Sequence, residues 1–267
     1  MIRHPAVAGQ FYPGNQQELR ASLDEYCQSV LQKKHALGII SPHAGYIYSG
    51  AIAGKLFSQI EVPDRVILIG PNHRGVGHSA ALYDMGDWET PLGTIGVDRD
   101  LAGEVNTNCR YLASDDQAHR YEHSLEVQVP FIQHENPSAQ LVPICIGHLP
   151  LDALVETGEA LADVISAAEQ QVLIVASSDM THFEPGDVAR NKDTLALDCA
   201  EALDPEGLYK VVRDNRISMC GVLPSVIMLA AARKLGATHG EVVAYGNSGD
   251  VTGDQSDVVG YASVIVS

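Results

Sequence analysis

RVILIGPNHRGVG, residues 65–77, decides the fold class. Val66–Ile69 is an unbroken apolar run, short and rich in β-branched residues, and reads as a strand buried on both faces. Pro71 stops it, and Asn72, His73 and Arg74 follow at once. Two other stretches repeat the pattern. ALGIIS (36–41) runs into Pro42 and His43, and QVLIVASSD (171–179) ends on Asp179 with His182 just beyond. QLVPICIG (140–147) is a further buried strand, and EVVAYGNSGD (241–250) and DVVGYASVIV (257–266) close the chain as strands.

Between these strands lie stretches of helical character. They are 15–33, opened by Asn15 as a cap, 50–60, 122–135 with Pro130 as a kink, 151–169, 188–202, 205–214 and 221–236. Residues 79–97 alternate and carry turn residues, so they predict a hairpin. Strands alternating with helices, without repeat or linker, predict a single α/β domain over residues 1–267. Its sheet is mixed but largely parallel, with helices on both faces.

Composition narrows the function. The 267 residues carry 17 Lys+Arg against 34 Asp+Glu, a net charge of −17. Such a surface repels phosphate backbones and anionic lipid, which argues against nucleic acid and membrane partners. No apolar run approaches the ~20 residues of a membrane helix. The first residues, MIRHPAVAGQFYPG, lack the apolar centre of a signal peptide, so a cytoplasmic location is expected. The five cysteines are scattered and form no CxxC pair, unlike a disulfide framework or a zinc knuckle.

In open α/β sheets, ligands bind beyond the carboxyl ends of the strands. His43, His73 and His182, each just after a buried strand, are therefore expected to converge. One such histidine more often satisfies loop backbone; three point to a site. Neutral imidazoles from adjacent strand ends can chelate a metal ion. Asp179 can face the same cavity or cap the turn that follows it. His123, at the start of a predicted helix, is favoured in its neutral form, as a proton acceptor or as a buried first-turn residue. Cys220 stands where a polar loop meets an apolar helix. A thiolate there gains from the helix dipole, while a small buried cysteine is the commoner fate. The remaining histidines, His119 and His134 among them, read as surface or loop residues. Neither Ser177 nor Ser178 lies in a GxSxG elbow, and no HExxH is present, which leaves hydrolysis without a motif.

Six motifs in order resemble the Memo family, also called AmmeMemoRadiSam system protein B. They are PAVAGQFYP (5–13), PHAGYIYSG (42–50), LIGPNHRG (68–75), EHSLEVQVPF (122–131), SSDMTHF (177–183) and MCG (219–221). That family is similar in fold to the class III extradiol dioxygenases, which hold non-haem iron by two histidines and a carboxylate. The resemblance implies His43, His73 and Cys220 as metal ligands, the cysteine replacing the dioxygenases' glutamate. It implies His182, Asp179 and His123 as catalytic cavity residues, with His182 as acid/base and Asp179 orienting it. Iron or copper is the implied metal; two imidazoles and a thiolate suit zinc as well. The implied protein partners are radical-SAM and AMMECR-like proteins. The implied activity is metal-dependent redox chemistry on a small molecule. The Cys-for-Glu difference opens the alternative of a non-catalytic metal- or protein-binding module.

Overall fold

The computed structural model describes residues 2–267. The strands are β1 (Ile2–Arg3), β2 (Gly38–Ser41), β3 (Arg65–Pro71), β4 (Ala80–Leu82), β5 (Asp87–Thr90) and β6 (Gly93–Val97). Then come β7 (Ala113–Ser114), β8 (Gln140–Ile146), β9 (Val172–Ser177), β10 (His182–Glu184), β11 (Gly240–Asn247) and β12 (Val258–Val266). The helices are α1 (Gln16–Tyr26), α2 (Tyr46–Gln59), α3 (Arg99–Asn108), α4 (Val129–Glu135) and α5 (Leu151–Ala167). They continue with α6 (Gly186–Glu201), α7 (Pro205–Asp214), α8 (Val222–Lys234) and the single turn α9 (Gly249–Thr252).

The strands form one mixed, mostly parallel sheet. Its main path runs β1-β5-β6-β8-β3-β9-β2-β12-β10. The parallel centre β6-β8-β3-β9-β2 carries the apolar runs. β12 pairs antiparallel with β2, and β10 and β11 pair antiparallel with β12.

Alternation along the central strands sends residues to opposite faces. Ile67 and Ile69 of β3, with Ile174 and Ala176 of β9, pack on one face against Leu154 and Leu161 of α5 and Ile227 and Leu229 of α8. Val66 and Leu68, with Leu173 and Val175, pack on the other against Leu19, Leu56, Phe57 and Phe131 from α1, α2 and α4. That double burial explains why these strands are apolar without a polar stripe. α5 and α8 meet closely because Gly158 has no side chain: a Cβ there would lie 2.4 Å from Ile227 O.

Several boundaries differ from the sequence reading. α1 ends at Tyr26 rather than running to residue 33, with Cys27 as its C-cap. The helix expected at 122–135 is a short 3-10 turn, Glu126–Gln128, running into α4, and Pro130 lies in the first turn of α4. Proline is tolerated there because first-turn N–H groups have no intrahelical partner. Glu122–Ser124 instead fold against the end of β3, where Ser124 Oγ donates to Pro71 O at 2.9 Å. His119 is not a surface residue. It is fully buried and packs edge-on against Tyr83 and Trp88. Among the described residues no helix is long and apolar enough to cross a membrane.

Candidate metal centre

β3, β9 and β2 are neighbours running in one direction, so their carboxyl ends open side by side. The residues beyond them gather at that edge. The His43 and His73 ring centroids are 5.3 Å apart, and His123 lies 5.5 Å from His43 and 4.8 Å from His73. One candidate ligand atom from each of His43, His73 and His123 falls within 4.8 Å of the others. His43 forms the buried floor, while His73 reaches solvent. Phe11, from the segment preceding α1, covers the outer side of His123 at 4.7 Å.

The hydrogen-bond partners fix which nitrogen of each ring is free. Ser177 Oγ donates its only hydrogen to Ser124 O at 2.6 Å. Its 2.9 Å contact with His43 Nδ1 therefore has the imidazole as donor, and His43 Nε2 keeps its lone pair. Gln128 Nε2 braces the same serine at 2.9 Å and the Pro42 carbonyl at 2.8 Å. His73 Nδ1 donates to Glu122 Oε1 at 2.8 Å, and the His73 backbone N–H donates to Oε2 at 2.7 Å, so His73 Nε2 is free as well. A carboxylate holding one histidine nitrogen while the other faces a cation is a recurrent device of metal sites.

Electrostatics favour neutral rings. Burial, then the neighbouring His73, lowers His43 to about 3. Burial, then His43, lowers His123 to about 4. Glu122 behaves oppositely. Burial pushes its carboxyl up, but the His73 hydrogen bond, the His73 charge and the Ser124 N–H outweigh it and hold it at about 2. The site therefore pairs a fixed carboxylate, Glu122, with two imidazoles, His43 and His123, that keep their lone pairs at neutral pH.

Cys220 and Asp179 complete the floor. Cys220 Sγ lies 3.3 Å from His43 Nε2, and the Asp179 N–H donates to the same sulfur at 3.3 Å. Gly221 makes this approach feasible, because a Cβ there would lie 2.2 Å from Ser177 O. The helix-dipole expectation does not carry for this thiol: burial first, and the Asp179 carboxylate next, raise it above its usual range. Asp179 is buried and raised by that burial, and its Oδ1 accepts the backbone N–H of His43 (2.7 Å) and Ala44 (3.3 Å). It thus shapes the His43 loop rather than orienting His182, a role that falls to carbonyls. His182 Nδ1 donates to Met180 O at 2.7 Å and Ser218 O at 3.0 Å, which leaves its Nε2 free.

A family model described as Memo-like protein matches residues 3–265. A MEMO1 family protein of Aquifex aeolicus is 42% identical over 99% of this chain and 98% of its own length. The chain belongs to the Memo family. Another family member, from Methanosarcina barkeri, is 40% identical over 99% of this chain and 100% of its own length. In fold, the Memo chain is similar to the crystal structure of uncharacterized protein JW3007 from Escherichia coli K12. That likeness has a TM-score of 0.57 at 13% identity, covering 85% of this chain and 98% of the other.

Of the six residues singled out from sequence, His43, His73, His123, Asp179 and Cys220 meet within this cluster. His182 stands at its rim, near enough for its charge to act on His43 and Asp179. Glu122, which binds both the side chain and the backbone of His73, was not singled out. Its one signal in the Memo chain is its place beside His123 in EHS, and nothing local ties it to a residue 49 positions earlier.

Proposed function

We propose that this Memo-family chain binds one iron or copper ion through His43, His73 and Cys220, with His123 beside them, and uses it in redox chemistry on a small molecule. The observation that carries the reading is the pair of imidazoles whose Nδ1 atoms are already committed, leaving two Nε2 lone pairs, with the Cys220 sulfur 3.3 Å from the Nε2 of His43. Imidazole and sulfur donors suit first-row transition metals and not calcium or magnesium. Bound there, iron or copper supplies one-electron redox capacity that side chains lack.

The chain's own residues do the rest. Glu122 fixes the rotation of His73, and Ser177 fixes that of His43. Asp179 holds the loop that carries His43. His182 Nε2 is a proton carrier at the rim, since its Nδ1 is taken by Met180. His123, held neutral, is a proton acceptor for substrate on the side that Phe11 walls off.

The test is metal analysis of anaerobically purified protein, followed by oxygen uptake with catechols and other small phenols. Near-stoichiometric iron or copper with turnover that His182→Gln slows is the expected outcome; full metal loading without turnover on any such substrate removes the catalytic half. Glu122→Gln places an amide N–H₂ against at least one of the donors now facing a carboxylate. It should weaken metal binding about 10–100-fold in a competition titration, the usual effect of losing a partner that orients a ligand.

One feature favours a second reading. The resemblance implies a sulfur, that of Cys220, in place of the dioxygenases' carboxylate, and this suits a binding module that acts with radical-SAM and AMMECR-like proteins. Pull-down with those two partner classes separates the readings: a stable complex from a protein without turnover supports this one.

A further inference from the structure

Among the described residues a second concentration of metal-ligating side chains lies away from this centre, where the ends of α1 and α4 meet. Cys27 caps the C-terminus of α1, and His134 and Glu135 are the last two residues of α4. One candidate ligand atom from each lies within 4.8 Å of the others. Asp24, three residues before Cys27 and so on the same helix face, brings Oδ1 to 3.9 Å from His134 Nε2.

We propose that Cys27, His134 and Glu135 form a second, structural metal site for zinc, with Asp24 as the fourth donor. Sulfur, imidazole nitrogen and carboxylate oxygen are the ligand types of tetrahedral zinc. The position suits a structural role. The cysteine is nearly buried, and the four donors tie the end of one helix to the end of another on the layer beneath the N-terminal segment. Charge supports it too. With the Cys27 thiol giving up its proton to the ion, Asp24, Glu135 and the sulfur would carry three negative charges, and Lys33, 2.5 Å from Glu135 Oε2, already pairs with one of them. A zinc ion added to that set brings the cluster to neutrality, with Lys33 on one carboxylate oxygen and the other free for the metal. The site is independent of the histidine centre and of its function.

The test is a zinc titration against a competing chelator, comparing wild type with Cys27→Ser. Wild type should take up one equivalent more than the variant, whatever the histidine centre binds. Cobalt(II) serves as an optical probe, because thiolate–cobalt absorption in the near-ultraviolet requires a cysteine ligand. In a Cys220→Ser background, where the histidine centre offers no sulfur, that band should persist, and it should vanish when Cys27→Ser is added. His134→Gln, a half-buried residue whose replacement leaves the core untouched, should weaken zinc more than about 10-fold and keeps the test decisive if Cys27→Ser does not fold. Equal zinc stoichiometry in wild type and Cys27→Ser, or unchanged affinity in His134→Gln, overturns the proposal.

Discussion

His73→Ala should bind iron or copper at least ~100-fold more weakly than wild type while unfolding at nearly the same temperature, since it removes a ligand and not merely an orienting partner. The dissociation of the two effects follows from position. The His73 side chain reaches solvent, so its removal opens no core cavity. The loss does strip Glu122 of one donor, but three backbone N–H groups, from His73, His123 and Ser124, still bind that carboxylate. His43→Ala should lose metal as completely and also lose stability. Its ring is buried, so its removal leaves a cavity, and Ser177 Oγ keeps Gln128 as its one remaining donor. Chelator competition for affinity and thermal melting for stability check both variants. Equal metal affinity in wild type and His73→Ala would remove His73 from the ligand set.

Glu126→Ala should destabilise the fold by about 3–5 kcal/mol, the scale expected when one partner of a buried ion pair is deleted. Glu126 is fully buried and accepts four hydrogen bonds, all from the N-terminal segment. They come from Arg3 Nη1 (2.6 Å), Ala6 N (2.8 Å), Val7 N (3.0 Å) and Tyr12 OH (2.7 Å). Its removal leaves the Arg3 guanidinium buried over the Trp88 ring, 4.2 Å from its centroid, without its carboxylate. Urea denaturation should show a lower midpoint with little change in slope. The double variant Arg3→Met/Glu126→Leu should recover much of the loss, because the stranded charge goes with its partner. If Glu126→Ala unfolds like wild type, the N-terminal segment is not anchored there. The same segment carries Phe11 onto His123, and Phe11 O accepts the Tyr46 N–H that begins α2. The PAVAGQFYP motif is thus a structural strap that also walls the site.

What could be read from sequence was what the backbone pattern encodes locally. Val66–Ile69 and Val172–Ala176 announce doubly covered strands because both faces are apolar, and the polar residues after each strand mark the edge that open α/β sheets use for ligands. The histidines were legible for that reason alone. Glu122 was not, because its meaning lies in two bonds to a loop far away in sequence. Asp179 was legible as a site residue but not in its role, since a carboxylate facing a loop and one facing a histidine look alike in SSDMTH. The 122–135 segment misled because its apolar spacing continues through a 3-10 turn, while Glu122 and Ser124 are drawn out of helix by bonds to β3. His119 gave no sign of burial; its environment is made by Tyr83 and Trp88, which reach it only through the tertiary fold.

X-ray absorption on anaerobically loaded protein, at the edge of whichever of iron or copper it takes up, bears most directly on the centre. The account predicts one ion per chain with imidazole nitrogens at about 2.0–2.1 Å and one sulfur at about 2.3 Å, the sulfur vanishing in Cys220→Ser. An ion surrounded by oxygen alone, or a sulfur shell unchanged by that substitution, would contradict it.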